Sequence, residues 1–396
     1  MEVDGPRDLS SFFSSIPDPR RYNRRHLLTD VLAMALMGIL CRCDDWAEVE
    51  EWALGHQPWL EEFLGLPHGI PSADTFERLF ARLDPAALER CLIDWSTALA
   101  GSLEGKVVSI DGKTLRGSFQ TADRASAIHM VSAWCDHHRL SLAQLACDGK
   151  SNEITAIPKL MELLCLKGAI VTIDAMGCQK EIAREIVKQK AHYILAVKDN
   201  QKTLHEEVRF LMDEGILGHF DKMPHSFHEQ TEGDHGRVEI RKCWVTSDIA
   251  WYKERKQWEG LRSVACVECV RHIDGGKETV ERRYFITTFD GKSAGQDAKT
   301  VLESVRTHWG IENRLHWSLD VTFREDQSRA RKDNHAQNLS RMRRLALNLV
   351  RLDTSGKKRR SLKVKRFRCS FDRAYLIKTL ARLHNTCQND ANISNL

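Results

Sequence analysis

The chain has 396 residues, of which 42% are hydrophobic, so it can bury a sizeable core and is not a globally disordered protein. This length is typical of two or three domains. The formal net charge of +4 is unevenly spread, because residues 324–368 carry 16 Lys/Arg against 4 Asp/Glu. That segment has a local net charge of +12, which leaves −8 for the rest of the chain. Such a basic end on a near-neutral body predicts a polyanionic partner.

The beginning of the chain does not resemble a secretion signal, since Glu2, Asp4 and Asp8 stand where a basic start is usual. The apolar stretch 31–40 is too short to span a bilayer. The 12 cysteines follow no regular spacing, which is typical of reduced thiols in a cytosolic protein. We therefore expect a cytoplasmic protein with no membrane partner.

The first hundred residues are predicted to be helical. Residues 75–82 place their apolar side chains at helical spacing, which favours a role in the core. DNA reading by the outward charges of the same helix is the alternative, and it stays open. We therefore predict an N-terminal all-helical domain over residues 1–100, with DNA binding as one open function.

Strands begin at Lys106. The apolar run "KVVSID" is followed by a hairpin, a helix, the strand of "LKGAIVTIDAMG", a second helix and the strand of "HYILAVKDNQ". This order predicts an α/β fold, a mixed sheet flanked by helices. Alternating segments then predict a β-rich insertion, whose last hairpin turns at residues 274–276, and helices follow from residue 298. The predicted segments are two parts of one catalytic domain (101–210 and 298–352), the insertion (211–297) and a basic helical C-terminal tail (353–396).

Two aspartates end apolar runs in the predicted sheet. Asp111 and Asp174 are each followed by a turn that contains glycine. Ligand sites in open α/β sheets lie beyond the strand ends, so a carboxylate there is held rigidly and is still accessible. Capping of a local turn is the alternative for each aspartate.

A third carboxylate comes from the segment "THWGIENRLHWSLD". His308, Glu312, His316 and Asp320 follow one another at intervals of four residues, so they share one helical face. A solvated surface is the alternative to a polar site. Two strand aspartates and a helix glutamate predict an octahedral oxygen site for Mg²⁺, for which Mn²⁺ can substitute.

Such a site has a defined chemistry. Two divalent ions about 3.5–4 Å apart can clamp the attacking and leaving oxygens of a phosphodiester displacement, with no nucleophilic side chain. The cations Lys113 and Arg116 follow Asp111 closely and could hold a phosphate backbone there. The residues therefore predict metal-dependent phosphoryl transfer on a nucleic acid.

Several longer motifs resemble the transposases of the H-repeat elements associated with Rhs loci, within the insertion-sequence-four-like group of DDE transposases. The most specific motifs are "IDGKTLRGS" and "HWGIENRLHWSLDV", and the others include "KSNEI", "TIDAMGCQKEIA", "YILAVKDNQ", "HGRVEIR" and "MRRLALN". The resemblance implies an RNase H-like catalytic domain with a β-rich insertion before the last acid. It also implies a triad of catalytic and metal-binding acids, which falls on Asp111, Asp174 and Glu312.

The sequence departs from the broader group at three positions. His308 stands where an arginine is usual, Val305 where a tyrosine is usual and Leu319 where a lysine is usual. Glu325 and Asp326 remain alternatives to Glu312 as the third ligand. The supporting roles of the missing cations could fall to His308 or His316.

The resemblance implies a transposase that binds double-stranded DNA, both at terminal inverted repeats and at the target, with a homodimer as the expected assembly. It would associate with the nucleoid when bound to DNA. An exposed edge strand is the alternative for "HGRVEIR". We predict DNA contacts at eleven residues: Lys113, Arg116, Lys198, His235, Arg237, Arg241, His308, Asn313, His316, Arg331 and Lys332.

Two alternatives to an active transposase are open. One is a catalytically inactive DNA-binding product of a decayed element, and the other is a stand-alone RNase H-like nuclease. DNA cleavage separates the first from a transposase, and joining of the cut end to a target separates the second.

Overall fold

The structure is a computed structural model, and it describes most of the chain. The described residues are 9–22, 24–118, 127–147, 153–221, 223–234, 237–273, 276–292, 295–355 and 360–383. The predicted DNA contact His235 and the first two residues of the predicted turn at 274–276 lie outside them.

The N-terminal region is helical, as predicted. Asp45 and Asp84 cap the third and sixth helices by accepting hydrogen bonds from the backbone N–H groups of Glu48 and Ala86, both at 2.9 Å. Pro85 occupies the first turn of the sixth helix, where its missing N–H costs nothing. The helices are α1 (Leu9–Phe12), α2 (Leu28–Leu40), α3 (Trp46–Gly55), α4 (Gln57–Leu60), α5 (Ala73–Arg82) and α6 (Pro85–Ala100).

One mixed sheet of nine strands forms the centre of the described chain. The strands are β1 (Val107–Thr114), β2 (His129–Cys135), β3 (Leu140–Ala146), β4 (Ile170–Ile173), β5 (His192–Val197), β6 (Ser226–Asp234), β7 (Arg237–Thr246), β8 (Ser263–Ile273) and β9 (Thr279–Thr287). Their spatial order is β3-β2-β1-β4-β5-β9-β8-β7-β6. The pairs β1–β4 and β4–β5 are parallel, and the other pairs are antiparallel. The predicted mixed sheet flanked by helices is confirmed.

The β-rich insertion continues the central sheet. Strand β9 pairs with β5, with Leu195 opposite Ile286, and β8, β7 and β6 follow outward from it. The insertion therefore extends the sheet that carries the predicted aspartates and does not form a separate sheet.

Eight α-helices of the described residues follow the first three strands, and the first six of them surround the sheet or join it to the N-terminal helices. These six are α7 (Glu153–Glu162), α8 (Lys180–Lys188), α9 (Lys202–Leu217), α10 (Gln296–Gly310), α11 (Trp317–Phe323) and α12 (His335–Arg351). A π-helical segment, Ile311–His316, joins α10 to α11. Helix α12 is buried along nearly its whole length, so it is the central helix of the α-helical part.

Glu89 on α6 ties three regions together. Its carboxylate accepts hydrogen bonds from the buried side chains of Arg341 (2.9 Å) and Arg344 (2.7 Å) on α12. It also accepts a hydrogen bond from the backbone N–H of Gln144 on β3, at 2.7 Å. A buried carboxylate needs such partners, so the contacts of Glu89 hold the N-terminal helices against α12 and the sheet.

The C-terminal region is packed and is not a free tail over its described part. Helices α13 (Leu362–Phe371) and α14 (Arg373–Leu380) bury Cys369, Tyr375 and Leu376 in the same apolar cluster as α2 and α12. The predicted basic helices are therefore present, but they complete the core of the N-terminal helices. No helix of the described residues is long and apolar enough to cross a membrane.

Candidate active site

The two predicted aspartates lie side by side on neighbouring parallel strands. Ile110 of β1 is in register with Ile173 of β4, so Asp111 and Asp174 follow at the same edge. The prediction that Asp111 ends its strand is wrong, because β1 continues to Thr114 through its antiparallel pairing with β2. What ends at Asp111 is the pairing with β4, and this opens the sheet between the two carboxylates.

The loop after β4 fixes the second aspartate. The carboxylate of Asp174 accepts hydrogen bonds from the backbone N–H groups of Met176 (3.1 Å) and Gly177 (3.3 Å) in a short 3-10 turn. The side-chain amide of Asn200 donates to the carbonyl of Ala175 in the same turn, at 2.6 Å. Asp174 therefore caps its turn and lies beside Asp111, so the two readings of this residue are compatible.

Glu312 lies in the π-helical segment, where the buried side chains of Ile311 and Leu315 anchor the backbone. The Glu312 side chain is exposed and lines, with Asp174, a cleft of about 460 Å³. Lys198 lines the same cleft. We call Asp111, Asp174 and Glu312 the cleft acids.

Burial and nearby carboxylates raise the proton affinity of the two strand aspartates. Burial, together with the nearby carboxylates of Asp174, Glu153 and Glu312, raises the pKa of Asp111 to about 7, although the hydrogen bond from the Gly112 N–H opposes the shift. Burial and Glu153 likewise raise the pKa of Asp174, opposed by the hydrogen bonds of its turn and by Lys198. Negative charge is therefore concentrated around Asp111 and Asp174, and Lys198 offsets part of it at Asp174.

Two histidines of the predicted stripe contact the sheet. His308 Nδ1 is 3.0 Å from the hydroxyl of Thr172, and His316 Nδ1 is 3.4 Å from a carboxylate oxygen of Asp111. Burial lowers the pKa of both histidines to about 4, so both rings are neutral at pH 7. The predicted stripe is thus no solvated surface, although the π-helical segment interrupts its α-helix.

The alternative third acids lie in a second group, which we call the Lys113 cluster: Lys113, Asp320, Glu325 and Asp326. The Lys113 ammonium is 2.6 Å from Glu325, 4.0 Å from Asp326 and also in hydrogen-bond contact with Asp320. Burial lowers the pKa of Lys113, but Glu325 and Asp320 outweigh that effect and raise it.

Glu325 is almost fully buried, and it also accepts a hydrogen bond from the hydroxyl of Ser340, at 2.8 Å. Glu312, by contrast, forms no ion pair among the described residues. The geometry therefore favours Glu312 over Glu325 as an acid that can take an external ligand. The Lys113 side chain is only 10% exposed, so its contact with DNA stays a prediction.

The other predicted DNA contacts near β1 lie at the surface. The Arg116 side chain is 81% exposed, with its Nε 3.6 Å from Asp326. Arg331 donates from Nε to the carbonyl of Gly117, at 3.2 Å, and Lys332 is exposed. These three cations therefore surround the chain segment that follows Asp111.

Two predicted contacts lie on β7 of the insertion. Arg237 and Arg241 pair with Glu239, the former at 3.1 Å, and Arg241 is also 2.9 Å from Glu232. Glu239 is buried between them, so much of this positive charge is compensated internally.

A second cavity, which we call the basic pocket, lies beyond Asn313. Asn313 is exposed, next in sequence to Glu312, and lines this pocket of about 450 Å³. Burial, together with the nearby cations Arg314 and Arg139, lowers the pKa of Arg351 to about 9, although Asp136 opposes the shift. The pocket concentrates positive charge from Arg139, Arg314, Arg351, Arg360 and Lys365.

The sequence patterns did not single out a further carboxylate beside Asp111, that of Glu153. It begins α7, and its Oε1 lies 2.5 Å from His129 Nε2. A Cβ atom at Gly112 would be 2.2 Å from the same oxygen, so only glycine allows Glu153 to approach β1 here. The signal in the sequence is the motif "KSNEI", whose helix start faces the strand that carries Asp111.

The donor set of the cleft suits a hard divalent cation. Carboxylate oxygens are the ligands of Mg²⁺ and Mn²⁺, and a cation would relieve the repulsion that raises the pKa of Asp111. Among the described residues, no three His, Cys, Asp or Glu side chains already converge closely enough to hold an ion. The carboxylates of the cleft acids thus have the chemistry that a divalent cation requires. Their present spacing is too wide, so ion binding would have to draw them together.

Comparison with known proteins gives a consistent family. The model of the transposase DDE domain matches residues 102–349, and a model associated with that domain matches residues 10–96. YncI of Escherichia coli O157:H7, named as a candidate transposase, is 37% identical over 381 residues, which are 95% of each chain. YhhI of Escherichia coli K12, named as an H repeat-associated candidate transposase, is 34% identical over 384 residues, 95% of this chain and 98% of its own.

A solved structure matches more loosely. The piggyBac transposase synaptic complex with hairpin DNA has 13% identity and a TM-score of 0.42, over 100% of this chain and 85% of that chain. The matched domain contains Asp111, Asp174 and Glu312, and the two relatives extend over nearly the whole chain. The chain therefore belongs to the DDE transposase family, as an H-repeat-type member.

Proposed function

We propose that the protein cuts phosphodiester bonds at the ends of an insertion element and joins the freed 3′-hydroxyl to a target strand. The observation that carries the proposal is the grouping of Asp111, Asp174 and Glu312. Asp174 and Glu312 line one cleft, and Asp111 follows β1 beside Asp174, where the charges of both other acids help to raise its pKa. The triad, the RNase H-like character of the sheet and the use of Mg²⁺ or Mn²⁺ are parts of this proposal.

The cleft acids would hold the metal. Bound divalent cations would supply the charge that stabilises the attacking and leaving oxygens of the displacement. The protein's own side chains do the rest. His316 orients the Asp111 carboxylate, the turn at Ala175 orients Asp174, and Lys198 offers a cation beside Asp174.

The neutral histidines fit a supporting role. His308 is held by Thr172 on β4 and lines the cleft beside Glu312. Because its ring is neutral, it can donate a hydrogen bond to a phosphate oxygen, or accept one from a water, without adding charge. We propose that His308 takes the role of the arginine that the broader group has at this position. A neutral imidazole would bind phosphate more weakly than that arginine.

The basic pocket supports a path for the DNA backbone. Asn313 lines this pocket and directly follows Glu312 of the cleft in sequence, so a strand with one phosphate at the cleft acids could place further phosphates at Arg314 and Arg360. The ammonium of Lys365 donates to the carbonyls of Val350 and Asp353, and so holds the pocket's wall. Phosphate contacts of this kind position a duplex without reading its sequence.

We assign the exposed cations Arg116 and Lys332 to the flanking duplex, with Arg331 between them. Lys113 instead joins β1 to α11 and to Glu325, which holds the helix beside the cleft. Terminal inverted repeats and target DNA are the proposed substrates, bound by a homodimer.

The test is a cleavage and joining assay on DNA that carries the ends of the element, with Mg²⁺ or with EDTA. We expect Mg²⁺-dependent nicks at the ends and joined products with a second duplex. Binding without nicks would support an inactive DNA-binding product, and nicks without joining would support a stand-alone nuclease. Either result would overturn the proposal.

A further inference from the structure

We propose that Glu153 is a fourth carboxylate of the active site, which binds the same divalent cations as Asp111 and Asp174. This inference rests on the proposed function, because it adds a residue to that site. Glu153 begins α7, an element that carries no residue of the predicted triad.

The position of Glu153 is set by close contact with β1. Gly112 directly follows Asp111, and a side chain there would collide with Glu153 Oε1 at 2.2 Å and with His129 Nε2 at 2.3 Å. The carboxylate of Glu153 therefore lies against the backbone next to Asp111. A glycine at this position keeps the space for it.

A hydrogen-bond chain holds the carboxylate in place. His129 Nε2 is 2.5 Å from Glu153 Oε1, and His129 Nδ1 is 2.9 Å from the hydroxyl of Thr114. Thr114 and His129 are paired residues of β1 and β2, so the chain is anchored in the sheet. One oxygen of Glu153 bonds the histidine, which is how ligating carboxylates are oriented in metal sites.

Partial burial supports the same position. The side chain is 14% exposed, which is less than a solvated helix-end glutamate would be. A role as simple partner of His129 is the alternative, and it predicts no effect on ion binding.

The experiment measures Mn²⁺ binding to the full chain by electron paramagnetic resonance, without DNA. The variants are Glu153→Gln, Asp111→Asn and Glu162→Gln, and each variant's thermal unfolding is measured in EDTA. Glu162 is a matched control, since it is an exposed glutamate at the other end of the same helix. We expect Glu153→Gln to weaken Mn²⁺ binding about tenfold or more, with unfolding close to that of wild type.

The outcomes separate this inference from the proposed function. If Asp111→Asn weakens Mn²⁺ binding and Glu153→Gln binds as wild type does, Glu153 is only a partner of His129 and the inference is wrong. If wild type and Asp111→Asn bind Mn²⁺ alike, the proposed site itself is wrong.

A variant of the partner histidine covers the case in which Glu153→Gln does not fold. His129→Gln keeps the carboxylate and removes the ring that orients it. We expect a smaller loss of Mn²⁺ affinity, about threefold to tenfold, because orientation is lost but the ligand remains. Unchanged Mn²⁺ affinity in a folded His129→Gln protein would contradict the claim that His129 orients the Glu153 carboxylate for ion binding.

Discussion

Two groups of acids lie beside the same strand, and their environments differ. Asp111 and Lys113 are two residues apart on β1, so their side chains emerge on the same face. In the Lys113 cluster, Glu325 has a lysine and a serine as internal partners. In the cleft, Asp111 has mainly other carboxylates around it, and its pKa rises to about 7.

This difference indicates which carboxylates build the fold and which take a ligand. A buried acid with an internal cation is already compensated, so a metal ion would gain little there and would break an ion pair. Acids that repel one another gain most from an external cation. The departure at Leu319, where the broader group has lysine, is consistent with Lys113 as the local cation on the other side of the helix.

The largest expected effect comes from removing a cleft acid. Asp111→Asn should lower the rate of DNA cleavage about a thousandfold or more, because it deletes a metal ligand. Its affinity for end DNA should stay within about threefold, since the backbone contacts are untouched. Gel-based cleavage and a binding titration measure both, and near-wild-type cleavage by this variant would contradict the triad.

The comparison itself predicts opposite phenotypes for two glutamates. Glu325→Gln should lower the free energy of unfolding by about 3 kcal/mol, because it leaves the buried Lys113 with less compensation. Glu312→Gln should change that free energy by less than about 0.5 kcal/mol, since its side chain is exposed, and yet abolish cleavage. Denaturant unfolding of both variants, with the cleavage assay, measures the contrast. Equal loss of stability in Glu325→Gln and Glu312→Gln would contradict the assignment of Glu325 to the fold and Glu312 to the ligand.

The pH dependence of stability sharpens the same point. The pKa of Asp111 is raised from 3.8 to about 7, so the folded protein keeps a proton that the unfolded chain has lost. The free energy of unfolding should therefore fall as pH rises from about 4 to about 7, by on the order of 2–4 kcal/mol for this group. The measurement is metal-free unfolding of wild type and Asp111→Asn across this range. If the free energy of unfolding falls with pH no more steeply in wild type than in Asp111→Asn, the raised pKa of Asp111 is wrong.

The smallest expected effect lies in the basic pocket. Arg360→Ala should weaken DNA binding several-fold and reduce the slope of log affinity against log salt by about 0.9, the value for one phosphate contact. Arg184→Ala is the matched control, because Arg184 is an exposed arginine on α8. Equal slopes for the two variants would exclude a phosphate from this pocket.

The sequence predicts the strand-borne part of the site well. An apolar run that meets an aspartate is visible in "VVSID" and "IVTID", and parallel pairing then brings Asp111 and Asp174 together. The helix periodicity of "HWGIENRLHW" likewise predicts that Glu312 and the histidines face one site. These features are local, so they can be read from short segments.

The missed features depend on contacts between distant segments. Glu153 joins the cleft because α7 crosses beside Gly112, and Lys113 turns inward because Glu325, more than 200 residues later, packs against it. The packing of α13 and α14 into the N-terminal core is equally non-local, since Cys369 and Tyr375 meet α2 and α12 only in the folded chain. Composition shows the basic charge of this region but not its buried face.

The central claim is that the cleft acids, and not the Lys113 cluster, take the divalent cation. Crystals soaked in Mn²⁺ and measured near the manganese absorption edge locate the ion directly by its anomalous signal. The account predicts a peak in contact with Asp111 and Asp174, with Glu312 drawn toward it. A peak at Glu325 or Asp326 with none at Asp111 would contradict it.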